Sequence, residues 1–151
     1  MRWVEYFRNL AHQVKLKSKD ENTQIGAIIV GKDKEIVSTG YNSFPRGLQD
    51  NIRERQERPE KYYWFEHGER NAIYNAARIG VSTKGCTMYL SCGIPCCDCT
   101  RGIINAGITR IFCERGVTTK GDHWEENYER SWKMLEEANV KVCFYDDEFL
   151  G

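Results

Sequence analysis

Two short segments carry residues able to do metal-assisted chemistry. They are His67-Gly68-Glu69 and, 26 residues beyond Glu69, Pro95-Cys96-Cys97-Asp98-Cys99. Cys96 and Cys99 stand three apart, so one helical turn puts both sulfurs on the same face. Both segments fall at predicted helix starts, each directly after a loop or strand. A helix N-terminus carries partial positive charge and free N–H groups, which favour thiolates. His67, at the head of the other helix, can supply a third ligand. Zinc accepts one imidazole and two thiolates tetrahedrally and keeps a fourth position for water, which is the catalytic arrangement; a structural site is closed by a fourth protein ligand. Glu69, two residues past His67, could sit beside that water without ligating the metal and move its proton. In isolation, the C-x-x-C pair would fit a redox couple and a lone histidine would fit the surface or the core. Their joint occurrence, with Glu69 and Pro95 in place, favours zinc.

The elements that must hold these residues can be read from periodicity. Trp3, Phe7, Leu10 and Val14 recur at helical steps and predict an amphipathic opening helix with a core-facing stripe. Ile25 to Val30 reads as a buried strand, Gly31 to Lys34 as a turn, and Glu35 to Thr39 as the returning strand of a hairpin. Residues 40 to 66 are a long connection punctuated by Gly40, Pro45, Gly47 and Pro59, with room for a short helical turn. Helix period resumes from Glu66 and stops at Gly80. Then come a strand (Cys86 to Ser91), a helix (Cys96 to Ala106, ended by Gly107), a strand (Thr109 to Cys113), a helix (Trp124 to Ala138) and a last strand (Val140 to Tyr145). A hairpin followed by strand–helix alternation implies a mixed sheet with helices on both faces. No repeat or interdomain linker interrupts it, so one domain is expected over residues 1–151.

Composition narrows the function. Of 151 residues, 22 are basic and 22 acidic, giving a formal net charge of zero, which argues against a strongly basic nucleic-acid binder or a disordered acidic segment. The balance is uneven: residues 121–151 carry nine acidic and three basic side chains, so the preceding 120 residues hold a surplus of six positive charges and suit an anionic ligand better. The seven cysteines are an odd number, and residues 1–19 contain no uninterrupted apolar run of a secretory leader, so reduced thiols are expected. Cys86, Cys113 and Cys143 fall on separate predicted strands as core filler. Cys97 should point away from its ligand neighbours, Cys92 lies in a loop, and neither His12, facing outward, nor His123, in a loop, has ligand spacing.

An H-x-E followed by P-C-x-x-C is the known signature of zinc nucleobase deaminases. Glu66-His67-Gly68-Glu69-Arg70-Asn71-Ala72-Ile73 and Pro95-Cys96-Cys97-Asp98-Cys99 resemble the zinc-dependent cytidine and deoxycytidylate deaminase superfamily, most of all its deoxycytidylate (dCMP) branch. Ser18-Lys19-Asp20, Thr23-Gln24-Ile25-Gly26-Ala27 and the Gly40-Tyr41-Asn42-Ser43-Phe44-Pro45-Arg46-Gly47 loop are also similar to that branch. The resemblance implies a three-layer α/β/α sandwich around a five-stranded mixed sheet. It implies hydrolysis of dCMP to dUMP and ammonia by a zinc-activated water, supplying dUMP for thymidylate synthesis. His67, Cys96 and Cys99 would then hold one zinc ion, Glu69 would shuttle protons, and Asn42 would contact the sugar. For the phosphate, Arg46 is the first candidate and Lys19 the second. Tyr62-Tyr63-Trp64-Phe65 would either wall the base pocket or pack the loop. The resemblance further implies a cytoplasmic homo-oligomer, a hexamer, with dCTP and dTTP as effectors and Mg²⁺ accompanying the regulatory nucleotide, and neither membrane nor stable nucleic-acid binding. Two departures stand out: Gly68 replaces the usual Ala, and Ser43 replaces the Gly common after the Asn. The competing readings are a polynucleotide deaminase acting on tRNA adenosine or on cytosine, and a non-catalytic zinc-stabilised binding module.

Overall fold

Alternate apolar side chains decide how this chain layers. The computed structural model describes residues 1–116 and 122–150, the side chains of 122, 123 and 148–150 excepted, so the expectation for His123 lies outside the described residues. In chain order, α1 (Trp3–Val14) and a 3₁₀ turn (Lys15–Lys17) lead into β1 (Gly26–Val30) and β2 (Ile36–Tyr41). Two short helices, α2 (Arg53–Gln56) and α3 (Lys61–Trp64), precede α4 (Gly68–Ile79). There follow β3 (Thr87–Leu90), α5 (Cys97–Asn105), β4 (Arg110–Cys113), α6 (Asp122–Glu137), β5 (Lys141–Phe144) and α7 (Tyr145–Leu150). The strands form one five-stranded sheet in the order β2-β1-β3-β4-β5. β1 runs antiparallel to both its neighbours, with Gly26 opposite Tyr41 and Ala27 opposite Leu90. β3, β4 and β5 are parallel, with Tyr89 opposite Phe112 and Phe112 opposite Cys143. Parallel neighbours need a crossover, which α5 and α6 supply.

Period-two alternation sends Ala27, Ile29, Met88, Leu90, Ile111 and Cys113 to one face, where they pack with Ala72 of α4, Ile103 of α5 and Leu135 of α6. Ile28, Val30, Tyr89, Phe112 and Cys143 point the other way, onto Phe7 and Ala11 of α1 and Tyr145 of α7. The expected α/β/α sandwich is therefore present. Each fully buried Ile or Leu stabilises it by about 1.5–3 kcal/mol. Gly40 in β2 is what lets α4 lie so close to the sheet: a Cβ there would stand 2.2 Å from the Ala72 nitrogen and 2.5 Å from the Gly68 oxygen. At its far end α4 stops at Gly80, which takes the left-handed conformation at φ +88°.

The observed elements differ from expectation in three places. Of the opening stripe, Phe7 is buried but Trp3 is 55% exposed, stacked on the outer side of Phe7. His12 is not a free outward histidine; its Nε2 lies 3.0 Å from Glu114 Oε2, beside the Arg8–Glu114 ion pair. The residues after β5 turn at once into α7, whose Tyr145 hydroxyl donates to the Leu90 carbonyl at 2.7 Å. No helix among the described residues is long and apolar enough to cross a membrane.

Candidate active site

His67 and Cys96 each occupy the residue that opens a helix, and both have extended backbones (φ −72°, ψ 149° and φ −68°, ψ 171°). Cys99 lies one turn inside α5. The fold brings these three together: His67 Nδ1 is 3.5 Å from Cys96 Sγ and 3.4 Å from Cys99 Sγ. Zinc bond lengths and a tetrahedral angle imply a nitrogen–sulfur separation of about 3.6 Å, so the cluster fits that ion without rearrangement. All three donor atoms lie within 4.8 Å of one another, and no other set of His, Cys, Asp or Glu among the described residues groups in this way. The two thiols shift in opposite directions: the hydrogen bond to Cys96, with burial, raises Cys99 well above its ordinary value. The Cys99 hydrogen bond holds the Cys96 thiol down at about 4 against the effect of burial, with His67 assisting. His67 in turn is raised by its hydrogen bond to Cys96.

Glu69 stands in the first turn of α4, is 3% exposed, and lines the same cleft as His67 and Cys96. Burial raises its pKa, so the carboxyl can hold a proton as well as release one. Its Oε1 is buried with no hydrogen-bond partner. A buried unpartnered carboxyl oxygen costs free energy unless something else occupies the cleft beside it. A zinc-held water or a substrate nitrogen would satisfy it.

The surroundings fix this geometry through backbone contacts. Residues 43 and 66 form a two-way bridge, Ser43 N–H donating to Glu66 O at 3.0 Å and Glu66 N–H to Ser43 O at 2.7 Å. Asn71 Nδ2 donates to Tyr41 O at 2.8 Å, and the Glu66 carboxylate accepts from His67 N–H at 3.0 Å while pairing with Arg70 at 2.6 Å. The start of α4 is thereby locked to the end of β2. Asn42 is buried in the same cleft; its Oδ1 accepts from Ile25 N–H at 2.8 Å and its Nδ2 donates to Thr23 O at 2.8 Å. One amide N–H and one lone pair remain for a ligand. Cys97 does point away from the ligands: its N–H donates to Asn127 Oδ1 at 3.0 Å and its thiol to Asn127 O at 2.9 Å, pinning α5 to α6.

Not every candidate residue reaches the cleft. Arg46 is exposed and lines a separate depression with Tyr41, Tyr74 and Arg78. Lys19 is exposed and paired with Asp50 at 2.8 Å. Of the aromatic run, Tyr62 and Phe65 line the cleft, while Tyr63 is 82% exposed. Asp20 lines it too, as do Arg58, Lys61 and, from α6, Trp124 and Tyr128, none of which carries a chemical signal in the sequence. Trp124 and Tyr128 were legible as a helical stripe, but nothing in a stripe says that it faces a cleft.

Residues 1–115 match the family described as the cytidine and deoxycytidylate deaminase zinc-binding region. A protein of Aliivibrio fischeri named as an uncharacterized deaminase in the luxG 3′ region is 35% identical over 143 residues, covering 95% of this chain and 93% of that one. Human deoxycytidylate deaminase is 38% identical over 117 residues, 74% of this chain, and the match spans 64% of the human protein's length. The crystal structure of dCMP deaminase from the cyanophage S-TIM5 superposes with a TM-score of 0.72 over 93% of this chain and 95% of that one at 22% identity, a likeness of fold.

Proposed function

The chain belongs to the cytidine and deoxycytidylate deaminase family, and from that membership we propose that it hydrolyses the 4-amino group of dCMP, giving dUMP and ammonia. The observation that carries the reading is the buried, unpartnered carboxyl oxygen of Glu69, facing the same cleft as the His67–Cys96–Cys99 cluster. His67, Cys96 and Cys99 would hold zinc, which when bound would supply a Lewis acid that makes water nucleophilic near neutral pH. Glu69 takes one proton from the attacking water and delivers it to N3 of the pyrimidine; it then takes the remaining proton of the hydroxyl now on C4 and passes it to the amino group, which leaves as ammonia when the C4–N bond breaks. Its buried position and raised pKa suit a group that must alternate between the two states. Asn42, its amide held by Ile25 and Thr23, orients the sugar. Phe65, held edge-on to Phe44 at 4.5 Å between ring centroids, walls the cleft beside the base.

Residues 1–151 are read as one deaminase domain. By the same family likeness it works as a cytoplasmic homo-oligomer, a hexamer, supplying dUMP for thymidylate synthesis. Control by dCTP and dTTP with Mg²⁺ belongs to the same reading, although the Ser43 hydroxyl is engaged by Asn71 Nδ2 at 3.2 Å. The polynucleotide alternative has less support, since a zero net charge offers little counterion release. A non-catalytic zinc module is disfavoured by a three-donor set with a carboxyl beside it. The deciding experiment incubates zinc-loaded protein with dCMP, dCTP, CMP and deoxycytidine and follows the absorbance lost as cytosine becomes uracil. Turnover of dCMP above the others is expected; deoxycytidine turnover with dCMP untouched overturns the nucleotide assignment.

A further inference from the structure

A nucleotide substrate brings a dianionic phosphate, and neither cation suggested by the sequence lies where it could receive one: Arg46 lines a different depression and Lys19 is paired with Asp50. Two other cations do border the cleft. Arg58 and Lys61 line both the cleft containing His67 and Glu69 and the adjoining depression that opens outward over α2. Lys61 is buried, with its Nζ 3.0 Å from Asp20 Oδ2 and 3.3 Å from Oδ1. Asp20 also accepts N–H bonds from Asn22 at 2.9 Å and Thr23 at 3.3 Å, and its pairing with Lys61 leaves that buried pair with no net charge to offer an incoming anion. In the outer depression Arg53 is paired with Glu57 at 3.0 Å. Glu21 lines that outer depression and not the cleft. Arg58 is different. It is exposed, makes no ion pair among the described residues, and its guanidinium lies 5.9 Å from the Tyr62 ring centroid.

We propose that Arg58 is the specificity residue through which this site distinguishes a nucleoside 5′-monophosphate from the free nucleoside. Its planar fork of donors matches phosphate oxygens two at a time, and the Lys61–Asp20 pair fixes the rim beside it. The phosphate sits on the cleft side of Arg58, away from Glu21. This assignment rests on reading the cleft as a dCMP deaminase site.

The test compares wild type with R58Q, R58K and R46Q, each checked for zinc content and circular dichroism. kcat/KM is measured on dCMP and on deoxycytidine, and titration calorimetry measures binding of dUMP and of deoxyuridine. R58Q is expected to lower kcat/KM for dCMP about 30-fold, mostly through KM, the scale of a lost charge-assisted hydrogen bond. Deoxycytidine turnover should stay within about twofold. Affinity for dUMP should fall in parallel with the dCMP loss, deoxyuridine should be unaffected, and R58K, which keeps the charge but not the planar fork, should recover only part of the loss. An equal loss on both substrates, no loss on either, or a dCMP-specific loss in R46Q in place of R58Q overturns the assignment. The two readings fail separately. If wild type ignores dCMP but binds dUMP through Arg58, the reaction is wrong and the phosphate site stands. If dCMP turns over and R58Q matches wild type in both assays, the reverse holds.

Discussion

Glu69 shows how one residue can be expensive for the fold and useful to the site. A carboxyl with a buried, unpartnered oxygen destabilises the protein, yet it stands beside the one cluster of metal-type donors among the described residues. Glu69→Gln keeps the shape and removes the titratable proton. Turnover of dCMP is expected to fall by roughly 100- to 10,000-fold, while zinc content by mass spectrometry and the melting temperature stay at or above wild type. A variant that loses zinc or unfolds would instead make Glu69 a structural residue. The ligands should behave oppositely. Cys99→Ser removes a fully buried thiol that is one of three donors, so bound zinc and thermal stability should fall together with activity.

At the scale of the element, the site depends on how closely α4 approaches β2. His67 and Glu69 ride on the first turn of α4, and Gly40 and Gly68 make the contact with the sheet. Gly40→Ala places a methyl 2.2 Å from the Ala72 nitrogen, which only a backbone shift can relieve. We expect a loss of about 1–3 kcal/mol in urea unfolding and weaker zinc retention against a chelator, because the helix headed by His67 must shift off the sheet that positions it. Gly68→Ala is milder, its Cβ meeting the Ile25 oxygen at 2.9 Å. Gly68 thus has a packing reason that helix propensity does not supply. The three metal-type donors come from the starts of two helices, so a bound zinc ion would tie α4 to α5. Stripping it from the loaded protein should lower the melting temperature, and re-adding zinc should restore it.

At the scale of the whole molecule, the layer opposite the site is tied to the sheet by Glu114, which follows β4 and accepts from Arg8 Nε at 2.7 Å with His12 at 3.0 Å on the same carboxylate. Burial pushes the Glu114 carboxyl up, but the bonds from Arg8 and His12 outweigh it and hold the pKa below its ordinary value. A carboxylate depressed on folding adds stability above its unfolded pKa, about 4.3, and loses it as pH falls through the lower folded value. Glu114→Gln should therefore cost about 1 kcal/mol at neutral pH and shrink the difference in stability between neutral and acid; an unchanged acid transition would remove Glu114 from that role. Much of this architecture was legible in one dimension. The short apolar, β-branched run from Ile25 to Val30, the strand from Cys86 to Ser91 and the helical return after Glu66 are local patterns that burial on both faces of a sheet imposes. The spacings His67-x-Glu69 and Cys96-x-x-Cys99 were equally local, the first spanning the cap and first turn of one helix and the second one turn at the start of another. What sequence could not supply was any relation between distant segments: that Arg58 and Lys61 face the cleft while Arg46 does not, that Asn127 pins α5, or that Trp3 stays outside the core. Side chains separated by loops of unpatterned length meet only once the sheet order and helix packing are set. The sequence by itself determined the donor types and the family of folds, and tertiary packing decided which charges stand around the cleft.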